Sequence, residues 1–227
     1  MRIYQNFREV RSEVKRDLAE MGITVHTQTY QDKFIGDDPM MATKELQNYM
    51  YCVVDTSCPA DMLPTQPWAD AEFQERISGK HMNPGEAYRL RKEVWDDFLD
   101  EEGKFGYTYP DRISDFHQID RIVATLENDS FSRQAYMSIW TPEDITKTGG
   151  VSRVPCSLGY QFQVRKGALN ITYLQRSSDF ATHFNNDVFL AVQMQHHIAK
   201  RLDMKPGTFT HWIGSLHVFM KDIQGVF

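Results

Sequence analysis

Cysteine is scarce in this chain: Cys52, Cys58 and Cys156 are the only three in 227 residues, an odd number with no metal-ligand spacing. That argues against a disulfide framework or a zinc site and for free thiols in a reducing compartment, read here as the cytoplasm, or a host's cytoplasm for a viral protein. No apolar run approaches the roughly 18 residues that a membrane span needs. The N-terminal MRIYQNFREVRSEVKR also lacks the apolar core of a signal peptide. Positive charge is not in excess either. A net charge of −6 and a pI near 5.7 argue against a nucleic-acid polymer as partner. A small anionic ligand stays open, because a few local arginines can hold one whatever the global sign. Repeats, low-complexity tracts and a strong linker are lacking, so residues 1–227 are expected to form a single domain.

Hydrophobic residues make up 41% and charged residues 25%, the proportions of a globular domain with a sizeable core. Residues 2–21 read as an amphipathic helix ended by Gly22, followed by ITVHTQTY as a strand. MATKELQNYMYCVV reads as a second, more buried helix, with Glu45 on its surface. EAYRLRKEVWDDFLDEEG and HQIDRIVATLEND read as two more helices. AYMSIW, VPCSLGYQFQV, ALNITYLQ and FTHWIGSLHVF are rich in β-branched and aromatic residues and read as strands, with a long helix over about 186–203 before the last. The class is α+β, a mixed sheet packed against long helices.

One stretch does not fit a quiet connection. RSSDFATHFNND, residues 176–187, is densely polar without glycine or proline, yet lies between a strand and a helix that both look buried. Arg176 and Ser177 there offer a guanidinium fork and a hydroxyl suited to phosphate, and Arg133 in NDSFSRQ is a similar candidate. Cys156 is by default a small hydrophobe at a strand entrance, but Arg153 and Arg176 are close enough in the pattern to activate it. Asp187 by default complements a helix N-terminus. His217 by default is a satisfied core histidine.

Taken in order, these residues resemble the thymidylate synthase superfamily. VPCSLGYQF, QRSSD, the Asn/Asp-bearing helix start and GSLHVF match its nucleophile strand, its phosphate and folate segment, its base-reading position and its histidine strand. Upstream, VWDDFLDEEGKFGYTY matches its tryptophan block at Trp95, Gly103, Gly106 and Tyr109, and the match runs over roughly residues 95–219. The sequence departs from the pattern at Gln134, Ser157, His183 and Phe219. At the base-reading position, eight residues after Asp179, thymidylate synthases carry asparagine; Asp187 stands here, as in phage deoxycytidylate hydroxymethylases.

The resemblance implies the family's mixed-sheet fold, dimerised through the sheet, and a pyrimidine deoxynucleoside monophosphate as substrate. It implies 5,10-methylenetetrahydrofolate as co-substrate, with Cys156 attacking C6 and Glu45 and Tyr109 handling protons and water. Gln175, Arg176, Ser177, Asp187 and His217 would bind the nucleotide, Trp95 and Asp179 would face the folate, and Arg133 would reach the phosphate across the dimer. The expected product is 5-hydroxymethyl-dCMP. A dCMP 5-methyltransferase, a thymidylate synthase and a non-catalytic nucleotide-binding relative are the alternatives.

Overall fold

The computed structural model describes residues 1–30, 33–150 and 152–227. The elements in chain order are β1 (Arg2–Tyr4), α1 (Phe7–Met21), β2 (Ile23–Val25), β3 (Thr29–Tyr30), β4 (Lys33–Phe34), β5 (Thr43–Val53) and α2 (Trp68–Arg76). They continue as α3 (Lys92–Trp95), α4 (Tyr109–Ser114), α5 (Gln118–Asn128), β6 (Tyr136–Ser138), β7 (Ser157–Arg165), β8 (Ala168–Asp179), α6 (Phe184–Arg201), β9 (Lys205–Phe219) and α7 (Ile223–Val226). Six strands run β1-β5-β9-β8-β7-β6 across one mixed sheet, and β2 adds to β5. β8 and β9 are parallel, joined through α6, whereas β5–β9, β7–β8 and β6–β7 are antiparallel.

α6 carries the core. Phe184, Val188, Ala191, Val192 and Ile198 are all fully buried, and they recur at helical spacing on the face that meets the sheet. Beneath them Tyr51, Tyr173, Phe209 and Ile213 fill alternate positions of β5, β8 and β9. The sheet is therefore helix-covered on this face.

The segment expected to be a second helix is strand β5. Leu46, Met50 and Val53 happen to fall at helical spacing, so local periodicity misleads. Partners distant in sequence decide instead: β5 pairs along its length with β9 and at its ends with β1 and β2. Glu45 consequently projects from a strand, directly opposite His217. The first expected helix begins at Phe7, after β1, because the Asn6 side chain accepts from the amides of Arg8 and Glu9. The expected helix over EAYRLRKEVWDDFLDEEG is broken into α3 between two short 3-10 segments, Ala87–Arg91 and Asp96–Phe98. Arg91 leaves helical geometry there, and its buried guanidinium donates to the Thr182 carbonyl and stacks over Trp68. β8 also runs on through QRSSD, so the polar stretch begins as strand over residues 176–179 and ends in the first turn of α6, leaving only residues 180–183 as a turn.

Gly214 sits where β9 passes β8 beside the polar end of the sheet. A Cβ there would lie 2.8 Å from the Arg176 carbonyl oxygen, closer than real contacts permit. Gly214→Ala is expected to lower stability by about 1–3 kcal/mol, the usual cost of overpacking, as measured by urea unfolding.

Candidate active site

At the C-terminal end of β8 the sheet opens into a cavity of about 430 Å³, within the size range of ligand pockets. Register brings its floor together. Asp179 of β8, His217 of β9 and Glu45 of β5 lie side by side across three strands, with Ser177 opposite Ser215 in the next row. The Ser215 hydroxyl donates to Glu45 at 2.5 Å and lies 3.4 Å from His217 Nδ1. The Asp179 carboxylate accepts from the Ala181 amide at 3.0 Å, which turns the chain out of β8 toward α6.

Cys156 stands immediately before β7, held against β8. Its carbonyl accepts from the Arg176 amide at 2.8 Å, and the Arg176 guanidinium clasps the same loop through Pro155 O at 2.9 Å and Val154 O at 3.1 Å. Arg176 Nη2 is 4.0 Å from Sγ. Burial pushes the Cys156 thiol up; Arg176 and Arg153 oppose this, and Asp187 and Asp179 add to it. The positive charge foreseen around this cysteine is present, but in the free protein desolvation outweighs it.

Asp187 lies in the first turn of α6, yet its carboxylate does not serve the helix end. Oδ2 accepts from Gln175 Nε2 at 2.7 Å, and the open side of the residue is the cavity. Burial raises its pKa to about 6, against the Gln175 hydrogen bond and the charges of Arg76 and Arg91, which lower it. Tyr109 reaches Ser157 Oγ at 3.1 Å, and Ser157 continues to the Tyr173 hydroxyl at 2.5 Å. Arg76 stacks over the Tyr109 ring at 4.2 Å. Burial holds the Tyr109 phenol well above its ordinary range, so it is a neutral hydrogen-bonding group rather than a phenolate.

Farther out the walls are aromatic. Trp95 is flanked by the His183 imidazole at 5.4 Å and the Arg153 guanidinium at 4.9 Å, and Arg153 also sits over Phe98 and Tyr107. His183 is pushed down to about 4, chiefly by burial, and is a neutral ring at neutral pH. Two buried donors in this wall, Arg153 Nε and Trp68 Nε1, have no partner among the described residues. A flat ligand that offers hydrogen-bond acceptors suits these walls.

Ten of the expected residues therefore converge: Cys156, Glu45, Tyr109, Trp95, Arg176, Ser177, Asp179, Asp187 and His217 line the cavity, and Gln175 stands buried behind Asp187. Arg133 does not line it; it is exposed in the turn before β6, where its carbonyl accepts from Gln161. Sequence reasoning missed Arg76, Arg91, Tyr30 and His211. Arg76 and Arg91 gave no local signal because they reach the site only through the folding of α2 and the turn before α3.

A family model described as thymidylate synthase matches residues 82–226. The chain is 28% identical over 135 residues to a thymidylate synthase of Clostridium beijerinckii, covering 59% of this chain and 49% of that protein. It is 26% identical over 167 residues to a thymidylate synthase of Mycoplasma pneumoniae (70% and 56%), and 32% over 122 residues to a putative thymidylate synthase of Methanosarcina barkeri (52% and 55%). The chain thus spans about half the length of the curated relatives it matches. Thymidylate synthase from T4 phage superposes with a TM-score of 0.73 at 20% identity, over 96% of this chain and 78% of that one. Thymidylate synthase A of Bacillus subtilis superposes with a TM-score of 0.73 at 19% identity, over 98% and 83%. These likenesses bear out the expected α+β fold.

The raised pKa of Asp187 is a stability cost with a defined sign. Its folded value, about 6, lies above the unfolded value near 3.8, so the folded state holds the proton longer. Stability is lost as pH rises between those values, and the full cost persists above pH 6. Asp187→Asn is expected to be more stable than wild type at pH 7.5 by about 1–3 kcal/mol, discounted for the cavity-facing side of the group. The gain should vanish below about pH 4, where both states are protonated. Thermal unfolding of both proteins at the two pH values measures it.

Proposed function

The chain belongs to the thymidylate synthase family, and from that premise we propose that it transfers a one-carbon unit from a folate to C5 of a cytosine nucleotide, giving 5-hydroxymethyl-dCMP from dCMP. The observation that carries the choice of base is Asp187. A carboxylate accepts from the cytosine N4 amino group, whereas against uracil O4 it sets acceptor against acceptor and leaves both unsatisfied. With a pKa of about 6 the carboxylate form dominates at neutral pH.

In this reading Arg176 and Ser177 hold the phosphate, and His217 contacts the sugar. Cys156 Sγ adds to C6 as the thiolate, and the electrons of the C5–C6 double bond become available at C5. Arg176 lies close enough to favour that thiolate once a bound base displaces water. Asp187 would stabilise the N4/N3 edge in its protonated form as charge moves onto the ring, an interaction stronger in the transition state than in the ground state. Trp95 and Asp179 would hold methylenetetrahydrofolate, which when bound supplies the one-carbon unit. Tyr109, hydrogen-bonded to Ser157, would assist removal of the C5 proton, and Glu45 with Ser215 would organise water at the new exocyclic carbon. We further propose a homodimer through the uncovered sheet face, where Met50 and Tyr136 are exposed and Trp212 and Leu174 half-buried. The exposed Arg133 would then act in the second copy's cavity.

A second reading is thymidylate synthesis on the same scaffold. The names of the relatives favour it, since all those reported above are thymidylate synthases. A protonated Asp187 could donate to uracil O4, so this reading gains weight at acid pH.

Tritium release from [5-³H]dCMP and [5-³H]dUMP, with methylenetetrahydrofolate and mass analysis of the product, separates the two. At pH 7.5 release is expected from dCMP at least about 100-fold over dUMP, with a mass gain of CH₂O, and Cys156→Ser should lose at least about 1000-fold. Release from dUMP alone would establish the second reading. A gain of CH₂ on dCMP would make the protein a methyltransferase.

A further inference from the structure

Behind Asp187 a chain of buried hydrogen bonds leads away from the cavity into the core. Gln175, His211 and Tyr51 are each 0% exposed. Gln175 Nε2 donates to Asp187 Oδ2 at 2.7 Å, and Gln175 Oε1 meets His211 Nε2 at 3.0 Å. His211 Nδ1 in turn meets the Tyr51 hydroxyl at 3.0 Å. Neither His211 nor Tyr51 lines the cavity.

Donor and acceptor logic fixes every proton in this line. An ionised Asp187 can only accept, so the amide nitrogen of Gln175 must face it. The amide oxygen then faces His211, whose Nε2 must carry the hydrogen. Burial pushes His211 down to about 3, so the ring is neutral and Nδ1 is a bare acceptor. Tyr51 must therefore donate to Nδ1, and burial holds that phenol protonated well above its ordinary range. The ring planes are clamped as well: His211 stacks on Tyr173 at 4.6 Å, with an interplanar angle of 14°, and lies parallel to Phe184 at 6.1 Å. It therefore cannot turn aside to find another partner.

We propose that His211 and Tyr51 are positioning residues for base recognition: together they lock the amide of Gln175 with its nitrogen toward Asp187, and so keep Asp187 an acceptor for the amino group of a cytosine base. The fully buried Tyr51 hydroxyl has no other hydrogen-bond partner among the described residues, so accepting from an Nδ1–H would orphan its own O–H, and this favours Nε2–H; without that hydroxyl either tautomer leaves one buried nitrogen unsatisfied and the preference is lost. With Nε2 bare, Gln175 turns over to donate to it and presents its oxygen to Asp187. A carboxylate facing that oxygen is driven to take up a proton, and a protonated Asp187 no longer discriminates against uracil. The other charged groups around Asp187 are Arg76 from α2, Arg91 from the turn before α3 and Asp179 at the end of β8; Cys156, Tyr109, Tyr160 and Tyr173 are the titratable groups beside it. None of them bonds to Gln175, so none can set the direction of its amide.

The inference rests on the cytosine reading for its consequence, but its mechanism can be tested without turnover. In wild-type protein, ¹⁵N NMR of histidine is expected to show one ring, lost in His211→Gln, that is neutral and protonated at Nε2 from pH 5 to 8. In Tyr51→Phe, which keeps the ring and removes one oxygen, the Asp187 carboxyl ¹³C midpoint should move up from about 6. The dCMP over dUMP preference should also fall about tenfold in that variant, through a raised KM for dCMP with kcat little changed. An Nδ1–H tautomer, or a folded Tyr51→Phe protein with an unmoved midpoint, would overturn the proposal. A wild-type protein that binds neither nucleotide, yet shows the expected tautomer and midpoint shift, would remove the cytosine reading and leave the hydrogen-bonded lock standing.

Discussion

The hydrogen bond from Gln175 to Asp187 is the seam on which the site depends. It ties strand β8 to the first turn of α6, the two elements that the polar stretch joins. Everything around it is arranged to keep that stretch from becoming an ordinary solvated connection. Asp179 turns the chain by binding the Ala181 amide, Arg91 pins Thr182, and Asn186 bonds to Thr65 on the far side. A polar segment with its backbone and side chains committed in this way can face a cavity without collapsing into it.

The same arrangement explains why the site is costly. Several carboxylates, a thiol and several arginines share one cavity, and apart from Arg76 with Glu72 their charges are not paired with one another among the described residues. Arg176 is bonded to carbonyls rather than to an acid, and Arg153 rests on aromatic rings. Burial pushes Asp187 up and His183 down, and it pushes the Cys156 thiol up as well. A ligand that brings an anion to Arg176 and a hydrogen-bond donor to Asp187 would relieve both costs.

Much of this was legible in the residue order, because the family's motifs are strung along β7, β8, α6 and β9, where spacing along the chain survives as spacing across strands. Cys156, Arg176, Ser177, Asp179, Asp187 and His217 all fall in that block. The N-terminal third was harder. Glu45 reached the cavity as expected, but from a strand, since the spacing of Leu46, Met50 and Val53 imitates a helix and only pairing with β9 reveals the truth. Arg76, Arg91 and Tyr30 enter from segments whose sequence carries no motif, and His211 gave no sign because its role depends on two partners, 36 and 160 residues away.

The most direct test of the account is a crystal structure of the Cys156→Ser protein with dCMP, grown near pH 7.5. The base is expected beside residue 156 with its N4 amino group within hydrogen-bond distance of the Asp187 oxygen that Gln175 does not occupy, while the Gln175 contact persists. A base bound with its N4 edge turned away from Asp187, or with Gln175 displaced to contact the ligand itself, would contradict it.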